Sequence, residues 1–228
     1  MNPEADRAMT DREQMLRDIE REVDYTRRMI GRTAFDPRVM AAMRDVPREA
    51  FVPEYERRLA FENGPLPIGC GQTISQPYIV ALMTDLLETD ADASVLEVGT
   101  GSGYQAAVLS QVVGRVYTIE VIEALSLRAE QTLRRLGYGN VECRCGDGYH
   151  GWPEHAPYDG ILVTAAAPHI PPPLVEQLKP GARLVIPVGP PYGYQELMVV
   201  DKSPAGVVRE RNVLGVAFVP LTRGAGET

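Results

Sequence analysis

Three alternate glycines, Gly99, Gly101 and Gly103, lie in the run VLEVGTGSGYQAAVL, between a stretch that reads as a buried strand and one that reads as a helix. Glycine tolerates positive φ and lets a ligand approach the backbone closely, and the first turn of the following helix offers unpaired N–H groups to an anion. A small anionic group is expected there. The dinucleotide fingerprint is G-x-G-x-x-G, whereas this run is G-x-G-x-G with Tyr104 next, so a pyrophosphate is disfavoured. A tight strand-to-helix turn without ligand is the plainer reading of the same residues.

Two acidic residues follow at the ends of expected strands. Glu120 lies about 20 residues beyond the glycines, where a carboxylate can accept from both hydroxyls of a ribose. Asp147, within Gly146-Asp-Gly148, could accept from an adenine amino group, or could simply form an Asp-Gly turn. Glu97, just before the glycines, could meet a ligand ammonium or remain a structural partner of the loop. An adenosine carrying an amino-acid-like tail satisfies all of these groups, and S-adenosylmethionine fits, its sulfonium suiting an acidic site.

These residues need a frame of alternating strands and helices. Residues 94–98, 115–120, 141–145, 159–165, 182–188, 196–200 and part of 207–221 read as strands, with helices over 104–113 and 123–136. The alternation predicts an α/β fold with a mainly parallel central sheet and helices on both faces, closing in an antiparallel edge where no helix separates the last strands. Upstream, Ile79, Leu82, Met83, Leu86 and Leu87 mark one apolar helix face, and residues 25–55 are helical until Pro47 and Pro53 interrupt them. Residues 61–77 are rich in glycine and proline and read as an ordered loop.

The chain of 228 residues has room for one domain with a real core. Residues 1–24 are expected to be a charged leader, a solvated helix or frayed tail, with a single domain over 25–228. A net charge of −8 argues against a nucleic-acid partner, since such proteins neutralise phosphates with excess basic residues. Three cysteines in no CxxC pair point to a reducing, cytoplasmic setting, and no signal peptide or membrane-length apolar run is present. His150, His155 and His169 show no metal-ligand spacing, so no metal is expected, and Trp152 reads as a packing anchor.

The glycine loop with its acidic partners resembles the Rossmann-like S-adenosylmethionine-dependent methyltransferases. GCGQTISQPYIVALM at 69–83, GDGYHGWPEHAPYDGILVTAAAPHIP at 146–171, KPGARLVIPVG at 179–189 and VAFVPLTRG at 216–224 narrow this, in order and with natural spacing, to a resemblance to the bacterial protein-L-isoaspartate O-methyltransferases. The resemblance implies methyl transfer from S-adenosylmethionine to the free carboxylate of L-isoaspartyl residues in damaged proteins and peptides, after which a succinimide forms and partly hydrolyses to aspartate. It implies Ser75 as the active-site residue. It implies a cofactor site of Gln72, Thr73, Ile74, Ser75, Glu97, Gly99, Thr100, Gly101, Ser102, Gly103, Glu120, Val121, Asp147 and Gly148. Thr73, Ala166, Val219 and Thr222 would contact the isoaspartyl residue. A monomer acting without nucleic acid or membrane is expected.

The substrate carboxylate is ionised at neutral pH, with a pKa near 4, so no general base is needed and positioning dominates. Ser75 could donate to one carboxylate oxygen and leave the other facing the methyl donor, or could be only the N-cap of the helix starting near Gln76-Pro77. Another small-molecule methyltransferase would share the glycine loop but have no reason to carry GQTISQP. A silent S-adenosylmethionine-binding or damage-recognition module would have no reason to keep both Ser75 and the complete loop.

Overall fold

A computed structural model describes residues 3–223, with side chains from Thr10 onward. Residues 1–2 of the expected leader and 224–228 of the expected domain lie outside the described residues. The chain opens with α1 (Pro3–Ile30) and α2 (Pro37–Asp45), then two 3-10 turns, the strands β1 (Leu66–Gly69) and β2 (Gln72–Ile74), and α3 (Pro77–Leu86). Alternation follows: β3 (Ser94–Val98), α4 (Tyr104–Ser110), β4 (Arg115–Glu120), α5 (Glu123–Arg135), β5 (Val141–Cys145), β6 (Tyr158–Val163), α6 (Pro172–Glu176), β7 (Leu178–Val188), β8 (Gln195–Lys202) and β9 (Val208–Val216).

The seven-stranded sheet has the order β5-β4-β3-β6-β7-β8-β9. The pairs from β5 through β7 are parallel, and β8 and β9 add an antiparallel edge. The chain winds outward from β3 through β4 to β5 and then returns to the other side of β3 with β6. That reversal opens a crevice at the carboxyl ends of β3 and β6, where open α/β sheets bind ligands.

Side chains alternate between the sheet faces, so β3 sends Val95 into one core cluster and Leu96 and Val98 into another. The first cluster packs the strands against apolar faces of α1 through α5, and the second against Leu174 of α6 and Trp152. Trp152 meets Tyr117 edge-on at 5.6 Å between ring centroids, consistent with its reading as an anchor.

Residues 61–77 differ from the expected loop. They contain the antiparallel pair β1–β2, joined by a turn in which Gly69, Cys70 and Gly71 all have positive φ. Ladders this short have too few residues for alternation to show in a glycine-rich sequence. Strand β7 begins at Leu178, four residues before the expected start, because the register against β6 slips between Tyr158 and Gly160 and absorbs Pro180 and Gly181 there.

The helix α1 runs unbroken across residue 24, the expected end of the leader. Met15, Ile19 and Val23 recur at every fourth position and are buried in the first core cluster, while charged residues occupy the opposite face. The Thr26 and Tyr78 hydroxyls meet at 2.6 Å and fasten α1 to α3. The heavy charge of this segment belongs to one face of an amphipathic helix.

Candidate active site

One cleft at the carboxyl ends of β3, β4 and β6 collects most of the expected site. Gly99, Thr100, Gly101 and Ser102 line it together with Glu120 and Val121 from the end of β4 and with Gln72, Thr73, Ile74 and Ser75 from β2 and the residue after it. Gly148 lies on its wall, and the C-terminal residues Val219 to Thr222 border it. Glu97, Gly103, Asp147 and Ala166 are not on the wall.

The glycine loop is held from several directions. Gly99 and Thr100 donate their amides to the Ile119 carbonyl at 2.8 and 3.2 Å, and Gly101 donates to a Glu120 carboxylate oxygen at 2.8 Å. The other Glu120 oxygen accepts the Ile122 amide at 3.0 Å. Each oxygen has two acceptor sites, so Glu120 retains capacity for two more donors.

Gly99 has φ +97, and a Cβ there would collide with the Thr164 hydroxyl, which donates to the Val98 and Gly99 carbonyls. Gly103, with φ +88, is the N-cap of α4, and a Cβ would press on Leu133 of α5 at 3.2 Å. It serves helix packing and the turn, not the cleft surface.

Glu97 is fully buried beneath the loop. It accepts from the Thr118 hydroxyl at 2.5 Å, and Thr118 in turn meets the Thr100 hydroxyl at 2.6 Å. Its second oxygen is buried without a partner among the described residues. Burial, opposed by the Thr118 hydrogen bond and aided by the nearby Glu120 charge, pushes its pKa up to about 8. A largely neutral carboxyl at this depth supports the loop through Thr118 and Thr100.

Asp147 stands next to Gly148, and its carboxylate accepts the Tyr149 amide at 2.9 Å and pairs with Arg223 at 2.9 Å. Arg223 also lies over the Tyr149 ring, 4.0 Å from its centroid. Ala166 is covered by the C-terminal segment: its amide donates to Val219 and its carbonyl accepts from Leu221, both at 2.8 Å. Ala166 therefore holds Val219 and Leu221, and with them the segment that leads to Thr222.

Ser75 is half-buried and precedes α3, but it is not the helix cap. The N-cap is Gln76, without a side-chain bond, and the Tyr78 amide in the first turn is taken by Asn63 Oδ1 at 3.2 Å. Among the described residues the Ser75 hydroxyl has no protein partner, so it is available to a ligand.

A model of the protein-L-isoaspartate(D-aspartate) O-methyltransferase family matches residues 23–226. The chain belongs to this family. It is 62% identical to "Protein-L-isoaspartate O-methyltransferase 2" of Syntrophobacter fumaroxidans, covering 93% of this chain and 86% of that one, and 61% identical to the protein of the same name from Nitrosococcus oceani, covering 94% and 97%. Among solved structures, a protein-L-isoaspartate O-methyltransferase superposes with a TM-score of 0.81 at 29% identity, over 94% of this chain and 67% of that one. A Plasmodium falciparum structure described as a putative member of the family, in complex with S-adenosyl-L-homocysteine, shares the fold with a TM-score of 0.73 at 23% identity, over 91% and 98%.

As a member of this methyltransferase family, the chain is an enzyme that uses S-adenosylmethionine, and the residues of its cleft suit that cofactor. Glu120 presents free acceptor capacity at the end of β4, Gly99 and Gly101 add no side chains to the cleft, and the Thr100 hydroxyl between them is turned to Thr118. Sequence reasoning missed Val80, Tyr104, Gln105 and Ile122, which also line the cleft. Tyr104 and Gln105 directly follow the glycines, and that adjacency was the signal available. Among the described residues no group of three or more His, Cys, Asp or Glu is arranged for a metal ion.

Proposed function

We propose that this enzyme methylates the free carboxylate of L-isoaspartyl residues with Ser75 as the group that orients it. The reading rests on one observation: a serine hydroxyl without a partner among the described residues shares a cleft with Glu120 and the glycine loop. Bound S-adenosylmethionine supplies an electrophilic sulfonium methyl. The substrate carboxylate is already an anion at neutral pH, so the chain need only hold one oxygen and direct the other.

Ser75 donates to one carboxylate oxygen, with Thr73 beside it at the cleft mouth. Val219 and Thr222 flank the isoaspartyl residue, kept in place by Ala166. Ile74, Val80 and Leu221 add apolar lining to the cleft, which favours removal of water from the attacking oxygen. Glu120 takes the ribose hydroxyls, Gln72, Thr100, Ser102, Val121 and Gly148 enclose the cofactor, and Asp147 reaches the adenine end beside Gly148. Glu97 and Gly103 act on the cofactor through the loop they support.

Residues 10–223 are read as one methyltransferase unit that includes the packed part of α1. The three cysteines are free thiols, which suits a reducing cytoplasm, and no helix among the described residues is long and apolar enough to cross a membrane. We read the protein as a monomer whose partners are isoaspartyl proteins and peptides, with no nucleic acid or membrane among them; the net charge of −8 supports the former exclusion.

The test is methyl transfer from labelled cofactor to paired peptides that differ only in isoaspartyl or aspartyl linkage. Base-labile label on the isoaspartyl peptide alone supports the reading. Equal labelling of both peptides, or labelling of neither, overturns it.

A further inference from the structure

Arg48 lies in the first 3-10 turn, and its side chain is completely buried. A buried guanidinium must find acceptors for its donors, and this one finds them on backbone. Its Nε donates to the Ala60 carbonyl at 2.7 Å, and one terminal nitrogen donates to the Ser75 carbonyl at 2.8 Å and lies 3.5 Å from the Gly64 carbonyl. The guanidinium carbon sits 4.8 Å from the centroid of the Tyr104 ring. Its other terminal nitrogen is buried without a partner, and no carboxylate lies within ion-pair distance among the described residues.

This arrangement is costly for stability alone. Burial opposes the charged form and pulls the guanidinium below its ordinary range, and the interaction with the Tyr104 side chain offsets only part of that. What the side chain achieves is a junction between two segments that line the cleft: it bonds the Ser75 carbonyl and lies against Tyr104, the residue that follows the glycine loop, and both residues line the cleft. Among the described residues, the hydrogen bond to the Ser75 carbonyl comes from Arg48 alone. The Ser75 side chain has no such restraint, so its peptide is fixed through this contact.

We infer that Arg48 is a positioning residue for methyl transfer, setting Ser75 against the glycine-loop wall through its bond to the Ser75 carbonyl and its contact with Tyr104. The inference rests on the reading of Ser75 above. A lysine at this position keeps the charge but lacks the planar fork that bonds two carbonyls while lying on a ring. A glutamine removes the charge as well.

The experiment compares Arg48→Lys, Arg48→Gln, Ser75→Ala and the Arg48→Lys/Ser75→Ala double variant in the full chain. Binding of S-adenosylhomocysteine and the thermal transition establish that each is folded, and kcat and KM are measured on an isoaspartyl peptide. We expect kcat to fall about tenfold or more in both Arg48 variants, the scale of displacing a reacting group by a fraction of an ångström to an ångström, with the dissociation constant for S-adenosylhomocysteine within about threefold of wild type. The double variant should be no slower than Ser75→Ala, because Arg48 acts through Ser75.

A slow Ser75→Ala beside an unchanged kcat in Arg48→Lys and Arg48→Gln overturns the positioning role and leaves the Ser75 reading intact. Losses that multiply in the double variant overturn it too, as does cofactor affinity falling as far as kcat, which would indicate a loosened site. Wild-type turnover in Ser75→Ala overturns the Ser75 reading itself, and the role of Arg48 with it.

Discussion

The Glu120 carboxylate accepts the Gly101 amide at 2.8 Å, so the acidic end of β4 and the middle of the glycine loop form one bonded unit. A ligand that takes the remaining acceptor sites of Glu120 is thereby held against the loop. Charge matters here, because hydrogen bonds to an ionised acceptor are worth about 1.5–3 kcal/mol. Glu120→Gln, which also turns an amide donor toward one of the two backbone N–H groups, should weaken S-adenosylmethionine binding about 10- to 100-fold. Titration calorimetry measures this. At saturating cofactor kcat should change only a few-fold, and an unchanged affinity would remove Glu120 from the cofactor site.

Ser75→Ala should reduce kcat by about tenfold or more while cofactor affinity stays within about threefold. Replacing a true N-cap costs about 1 kcal/mol of stability. Here the first turn of α3 is served by Asn63, so the thermal transition should hardly move. Loss of stability with turnover retained is the opposite result, and would make the serine structural.

Glu97 provides a pH test. Its pKa is pushed up to about 8 in the folded chain, against about 4.3 for an ordinary glutamate in the unfolded one. Between those values the folded state binds more protons than the unfolded state, so the contribution of this group to stability falls as pH rises and levels off above about 8. Glu97→Gln has nothing to titrate. Its stability relative to wild type should rise steadily from about pH 5 to pH 8, by up to a few kcal/mol. Denaturant unfolding of both proteins without cofactor, at several pH values, checks this, and parallel pH profiles would refute it.

Gly99→Ala should fail for two reasons. Alanine at φ +97 is strained by about 1–3 kcal/mol, and its methyl meets the Thr164 hydroxyl. For a chain of this size, the thermal transition should fall by roughly 2–12 °C, with weaker cofactor binding. Adding Thr164→Ala removes the collision but not the strain, so the double variant should lose less than the sum of the single changes. Scanning calorimetry of the three variants decides this, and full additivity would show that the collision plays no part.

The sequence alone specified the sheet and the local chemistry. Strands of five or six residues rich in β-branched and apolar positions, glycines at alternate positions and carboxylates at strand ends are short-range signals, so β3 through β5, the glycine loop and Glu120 could all be read directly. The motif GQTISQP also marked Ser75, but not whether its hydroxyl capped α3. That depended on Asn63, which reaches the helix from 15 residues away in sequence.

Tertiary packing decided the rest. Met15, Ile19 and Val23 lie in a segment dense in charge, and only α3 and the sheet supply the surface that buries them. Glu97 accepts from the buried Thr118 and Asp147 pairs with Arg223, and no spacing in the sequence announces either contact. Arg48 carried no motif at all. Its significance comes from contacts with Ala60, Ser75 and Tyr104, and only folding brings those three segments to one guanidinium.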